Sequence, residues 1–175
     1  KGLGAGRVAV LDEMVNVHRS HFESVLGAVE AADLKLEVPN GMRADYLRAE
    51  DFERLRGRVT TVSVSAESGS TDVVRDVVQK KLDLARIEEA AASAQAAEVP
   101  LLVHYMIGLP GETATQINEL TLAVKRKNCV ARNALNNLGF VMLPQLSKKF
   151  DGIIARDFFS LDRNVFFHNS PHLGF

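Results

Sequence analysis

The chain has 175 residues, of which 46% are apolar and 25% are charged, and its formal net charge is −1 at pH 7. This length and composition suit a globular domain with its own core, and the near-neutral charge argues against a broad nucleic-acid surface. His104 and Pro110 interrupt the most apolar stretch, so we expect no membrane span. A single cysteine, Cys129, cannot form an internal disulfide, and it favours a reducing, cytoplasmic location.

Strand and helix patterns alternate along the first part of the chain. Strands are predicted at 7–11, 34–38, 60–66 and 100–107, and helices at 19–32, 48–56, 71–78 and 83–97. The segment from Thr113 to Gln116 has the form of a capping box, which predicts another helix to about Lys125. Four successive βα units indicate an α/β fold with a parallel sheet and helices outside it.

The pattern changes after about Lys125. Phenylalanines are concentrated there, and Asn-rich and Pro-containing stretches do not continue the alternation of strands and helices. We therefore predict one domain over residues 1–127 and an atypical tail over 128–175, to which no structure is assigned. This tail is either an extra subdomain or a segment foreign to the domain before it.

The loops that follow the predicted strands are where chemistry gathers in parallel sheets. Glu67, Ser68 and Ser70 follow the third strand, and Glu67 is expected at the mouth of the sheet, where a carboxylate binds hydroxyl or amino groups. The alternative is a plain loop in which Ser70 caps the next helix. Asp12 and Glu13 end the first strand and suit an ammonium group or a cation, although, taken alone, the pair is better explained by a solvated helix entry.

The loop after the fourth strand contains two glycines around a proline. This composition predicts a rigid turn that lets a flat ligand approach the main chain closely. Glu112 lies just before the next helix, where negative charge is favourable, so it is either a site residue or only a helix-end charge. His18 with His21, and His168 with His172, lack a third ligand, and we predict no metal site from them.

Taken in order, these loops resemble the radical SAM superfamily, particularly members with a cobalamin-binding or methylthiotransferase style of core. The resemblance extends over about 6–125 and rests on the segments 38–45, 64–70, 78–83 and 104–113. It implies a partial (β/α) barrel with four visible βα units that binds S-adenosylmethionine (SAM) and a [4Fe–4S] cluster. In the family the cluster reduces the sulfonium and releases a 5′-deoxyadenosyl radical, and relatives also use cobalamin.

The resemblance also implies a role for each matching residue. Glu13, together with Asp12, would bind the amino group of SAM, and Arg43 would meet its carboxylate. Glu67 and Ser68 would lie near the ribose and the methionine end. The residues implied near the adenine are those of the fourth strand end and its turn: Ile107, Gly108, Pro110, Gly111 and Glu112.

The chain departs from the family in one defining feature, the Cys-x-x-x-Cys-x-x-Cys loop whose thiolates hold the cluster. We expect that loop to lie upstream of Lys1, which would make this chain an inactive fragment of a radical SAM enzyme whose exposed strand edge promotes self-association. The alternative is a degenerate half-barrel that acts as a binding module. An unrelated hydrolase or aldolase barrel is disfavoured, because no nucleophile elbow and no strand-end lysine is evident. The substrate is not predicted.

Overall fold

The structure is a computed structural model that describes residues 4–109, 111–113, 115–116, 137–142 and 165–169. Its strands and helices follow the chain as β1 (Arg7–Ala9), α1 (Arg19–Ala31), β2 (Lys35–Glu37), α2 (Ala49–Leu55), β3 (Val62–Glu67), α3 (Leu84–Ala96), β4 (Leu101–Ile107), β5 (Asn137–Met142) and β6 (Val165–Asn169). A 3₁₀ turn at Ala44–Tyr46 follows β2, and a π-helix at Val73–Val77 follows β3.

All four predicted strands are confirmed, each with somewhat different ends, and so are the helices α1, α2 and α3. The segment predicted as a helix at 71–78 is instead centred on the π-helix. The predicted capping box is also confirmed, since Thr113 Oγ1 accepts the Gln116 N–H at 3.3 Å and Gln116 Oε1 accepts the Thr113 N–H at 2.9 Å. The rest of that predicted helix lies outside the described residues.

The architecture is mixed α/β with parallel strand pairs. β1 pairs with β2 in parallel, and single parallel bridges join Leu36 to Val59 and Met42 to Val64. A four-stranded sheet has the order β3-β4-β5-β6, in which β5 and β6 are parallel. The predicted parallel pairing is therefore confirmed for β1 and β2, whereas β5 and β6 belong to the tail for which no structure was predicted. The strands that the structure describes do not close into a barrel.

The directions of β3 and β4 follow from hydrogen bonds at both ends of the pair. Before the start of β4, the Pro100 carbonyl accepts the N–H of Val62, the first residue of β3, at 2.8 Å. Beyond the other ends of the strands, the hydroxyl of Ser68 donates to the carboxylate of Glu112. The two strands therefore start together and end together, which places their following loops at the same edge of the sheet.

Contacts divide the chain into two compact units, each built from separate stretches of sequence. The first unit comprises Lys1–Ser65, Ala85–Leu102 and Ala134–Asn136. The second comprises Ala66–Leu84, Val103–Asn133 and Asn137–Phe175. The described part of the tail provides the parallel strands β5 and β6, which belong to the second unit.

Helical spacing explains the core of the first unit. Phe22, Leu26 and Val29 recur every three or four residues on α1 and are buried. On α2, Phe52 and Leu55 are fully buried, as their spacing predicts. None of the helices formed by described residues has both the length and the apolar character needed to cross a membrane.

The strands β3 and β4 each have one packed face and one half-exposed face. Burial alternates residue by residue along both strands, so that Ala66, Tyr105 and Ile107 are at most 2% exposed. The intervening side chains, which include Glu67 and His104, are only half-buried. This alternation leaves polar side chains on the second face, close to the loops in which the sequence predicted a site.

Candidate ligand site at the ends of β3 and β4

Glu67 is the last residue of β3 and has an unusual backbone. Its φ is 64°, in the left-handed region that residues other than glycine seldom adopt. Its side chain is only 15% exposed, and its Oε1 lies 2.5 Å from Nζ of Lys80. A strained carboxylate residue at a strand end, held by an ion pair, is a typical feature of a functional site.

Lys80 reaches Glu67 because the chain turns back sharply after the π-helix. The Val78 N–H donates to the Val73 carbonyl, and the Lys80 N–H donates to the Val74 carbonyl, both at 3.0 Å. Between these two donors, Gln79 takes a left-handed φ of 56°. The sequence does not predict a role for Lys80, since an ordinary helix over 71–78 would not bring the chain back towards Glu67.

Ser68 and Glu112 join the loop after β3 to the loop after β4. Ser68 is fully buried, and its hydroxyl donates to Glu112 Oε1 at 3.2 Å while accepting the Ser70 N–H at 3.2 Å. The other carboxylate oxygen of Glu112 accepts the N–H groups of Gly108 at 2.7 Å and Leu109 at 3.2 Å. Glu112 therefore shapes its own turn and fastens that turn to its neighbour.

The turn after β4 has the glycine conformations that its sequence predicts. Gly108 has a φ of 91° and Gly111 has a φ of 80°, values that a side chain would make costly. Ile107, the residue before the turn, is 1% exposed on the packed face of β4. Pro110, also predicted to be a site residue, lies outside the described residues.

His104 lies on the half-exposed face of β4. Burial lowers the pKa of its imidazole, and the negative charge of Glu67 opposes this shift without cancelling it. The imidazole is therefore neutral at pH 7. Sequence reasoning did not select His104, because a single histidine within an apolar strand carries no motif.

Asp12 and Glu13 belong to the first unit, in the loop after β1. Asp12 Oδ1 accepts the Met14 N–H at 3.1 Å, and its Oδ2 lies 3.2 Å from Nε2 of His21. Glu13 is exposed. The acidic pair is thus part of an exposed turn, in which Asp12 has local partners.

Arg43 also belongs to the first unit, where it forms a local cluster. Its Nε donates to Asp45 Oδ1 at 2.9 Å, and its guanidinium lies 5.3 Å from the centre of the Tyr46 ring. The hydrogen bonds with Asp45 raise the pKa of Arg43 above its usual value. The buried side chain of Asn16 bonds to both the carbonyl and the N–H of Arg43, at 2.8 and 3.0 Å, a clamp that the sequence gave no reason to predict.

The described residues include no group of three histidine, cysteine, aspartate or glutamate side chains that is arranged to hold a metal ion. Of the two histidine pairs considered from the sequence, His18 precedes α1 and His21 faces Asp12. His168 lies in β6, and His172 is outside the described residues.

The structure thus gathers Glu67, Ser68, Gly108 and Glu112 at one edge of the sheet, with Lys80 added to them. The candidates Asp12, Glu13 and Arg43 lie in the other unit. In comparisons with known proteins, no protein-family model matches this chain, and no curated protein is similar enough to count as a match.

Proposed function

We propose that the loops after β3 and β4 bind SAM and that the chain is part of a radical SAM-type (β/α) barrel. The observation that carries this proposal is the hydrogen bond between Ser68 and Glu112, which holds both loops at the same sheet edge beside Glu67. Ligands of α/β sheets bind at such edges, beyond the ends of the strands. The pairing of β1 with β2, and the bridges that lead on to β3, follow the chain-order neighbour relations that a barrel requires.

The donor set at this edge suits the chemistry of SAM. Glu67 offers a carboxylate that accepts hydrogen bonds from ribose hydroxyls or from an ammonium group, and Lys80 supplies a matching cation. Gly108 has a φ of 91° and no side chain, so the main chain of this turn is accessible to a flat group. An adenine ring can therefore lie close to the backbone there. Asp12, Glu13 and Arg43 enter the proposal through the family resemblance alone.

The residues present do not fit a [4Fe–4S] cluster. Such a cluster is held by cysteine thiolates, whereas the sequence has one cysteine, Cys129, which lies outside the described residues. Cluster-dependent radical chemistry needs cysteine ligands beyond the single thiol of this sequence.

SAM titration by isothermal calorimetry tests the proposal. We expect saturable binding, and we expect Glu67→Gln to weaken it by about tenfold or more, because a hydrogen bond to a charged group is worth roughly 1.5–3 kcal/mol. Glu98→Gln is the matched control, since Glu98 also has a left-handed φ, of 55°, and also pairs with a basic side chain, that of Arg56, but it lies before β4 in the first unit. Absence of SAM binding, or equal loss in both variants, would show the proposal to be wrong.

The single cysteine favours a second candidate function, a binding module that takes the nucleoside ligand without catalysis. Anaerobic reconstitution with iron and sulfide tests the absence of a cluster, which both candidates predict for this chain. We expect no stoichiometric cluster absorbance from this chain, and SAM affinity that is unchanged by the treatment. A cluster bound at one per chain would contradict the binding-module alternative.

A further inference from the structure

Glu67 occupies the centre of a strained turn at the end of β3. The Ser68 N–H donates to the Ala66 carbonyl at 2.8 Å, two positions back in the chain, and Glu67 between them has a φ of 64°. A γ-turn with a positive φ at its central residue is rare, and such strain persists only where the surrounding structure over-determines it. The main chain therefore fixes where the Glu67 side chain begins, and the contacts of that side chain fix where its carboxylate lies.

The main chain of Lys80 is anchored by two hydrogen bonds. Its N–H donates to the Val74 carbonyl at 3.0 Å, and its carbonyl accepts the Leu82 N–H at 2.9 Å. The side chains of Val74 and Leu82 are both buried, so each bond ties Lys80 to a packed residue of the second unit. The ammonium group of Lys80 therefore acts from a fixed point of the main chain.

Lys80 uses only one of the two carboxylate oxygens of Glu67. Its Nζ lies 2.5 Å from Oε1, and the side chains of Lys80 and Glu67 are 25% and 15% exposed, so the pair is largely shielded from solvent. Within the part of the chain that the structure describes, no hydrogen bond reaches the second oxygen, Oε2. A carboxylate oxygen accepts more than one hydrogen bond, so Oε2 is available to a donor of the ligand.

We infer that Lys80 is a positioning residue of the strand-end site, which holds Oε1 of Glu67 and so presents Oε2 to a hydrogen-bond donor of the ligand. The inference rests on the proposed function and adds to it a residue that acts through Glu67. A carboxylate that is already held in place loses less conformational freedom when the ligand binds, and this preorganisation raises affinity. Lys80 would act differently if it competed with the ligand for Glu67 or contacted the ligand directly.

A double-mutant cycle on SAM binding tests this role. Dissociation constants are measured by isothermal calorimetry for the wild type, Lys80→Met, Glu67→Gln and the double variant. We expect Lys80→Met to weaken SAM binding by about threefold or more in the wild-type background and by less than about twofold in the Glu67→Gln background, because residues of one ion pair are coupled. Lys81→Met, which removes the adjacent exposed lysine, is the control and should leave the affinity unchanged.

The conservative variant separates the ion pair from packing. Lys80→Arg keeps the cation, so it should bind SAM more tightly than Lys80→Met does. An equal loss in Lys80→Arg and Lys80→Met would assign the effect to packing and overturn the inference. If Lys80→Met does not fold, Lys80→Gln takes its place in the cycle, since it removes the charge and keeps a polar group beside Glu67, and the same non-additivity is expected.

The remaining outcomes distinguish this inference from the proposed function. If SAM does not bind to the wild-type chain, the proposed function fails and this inference fails with it. If SAM binds and Lys80→Met strengthens the binding, Lys80 competes with the ligand, and the positioning role alone is wrong. Equal weakening in both backgrounds overturns it as well, because Lys80 then acts independently of Glu67, and so does an unchanged affinity in Lys80→Met.

Discussion

The carboxylate of Glu112 accepts a hydrogen bond from the buried hydroxyl of Ser68, 44 residues earlier in the chain. The same carboxylate caps two N–H groups of its own turn, at Gly108 and Leu109. One side chain therefore fixes the shape of one loop and its distance from the other. From the sequence, Glu112 is either a site residue or a helix-end charge, and the structure gives it this positioning role.

Removal of that carboxylate should destabilise the second unit. We expect Glu112→Ala to lower the free energy of unfolding by about 1–3 kcal/mol, because the Gly108 N–H and the Ser68 hydroxyl lose a charged acceptor. Urea denaturation measures the change. Glu53→Ala, an exposed glutamate on α2, is the control and should change stability by less than about 0.5 kcal/mol. An equal effect of both substitutions would exclude the positioning role.

The buried carboxylate of Asp51 should be the most sensitive polar position of the first unit. Its side chain is fully buried, its two oxygens each lie 2.7 Å from Nη1 of Arg19, and one of them also accepts the Arg48 N–H at 2.9 Å. Asp51→Ala leaves these donors without their acceptor, and we expect a loss of about 3 kcal/mol in unfolding free energy. Glu50→Ala on the same helix, with a side chain 60% exposed, should cost much less in the same denaturation experiment.

Gly41 should not tolerate a side chain. Its φ is 78°, and a Cβ built there would lie 3.0 Å from the backbone carbonyl oxygen of Ser63. Because that carbonyl already accepts the Met42 N–H, the strand cannot move away cheaply, and Gly41→Ala should destabilise by roughly 1–3 kcal/mol. The control is Gly27→Ala in α1, which meets nothing within 4 Å and should stabilise by about 0.5–1 kcal/mol. Thermal unfolding of both variants checks the opposite signs.

Stability should depend on pH through His104. Its folded-state pKa is lowered by burial, so the unfolded chain binds the proton more readily than the folded one. Well above pH 6.5 the imidazole is uncharged in both states, and its titration does not change the free energy of unfolding. Stability is lost as the pH falls below 6.5, the pKa in the unfolded state, towards the lower pKa of the folded state. Urea midpoints measured across this range should show a slope that His104→Gln reduces. An unchanged slope in the variant would assign the pH dependence to other groups.

The sequence alone determined the elements that depend on local periodicity. Residues alternate between buried and half-buried along β3 and β4, and this period of two predicts strands. Phe22, Leu26 and Val29 recur every three or four residues, which predicts helix α1. In both cases, burial of one face requires apolar residues at the period of the element. The capping box of Thr113 and Gln116 was equally predictable, since both partners lie within one helical turn.

Only the tertiary structure decided which of the candidate residues meet. The pairing of Glu67 with Lys80 depends on a π-helix and a left-handed Gln79, and the pairing of Ser68 with Glu112 depends on two strands running side by side. Such contacts link residues far apart in the chain, and no local propensity specifies them. They convert two separate loop motifs into one candidate site, and they assign Glu112 to holding that site together.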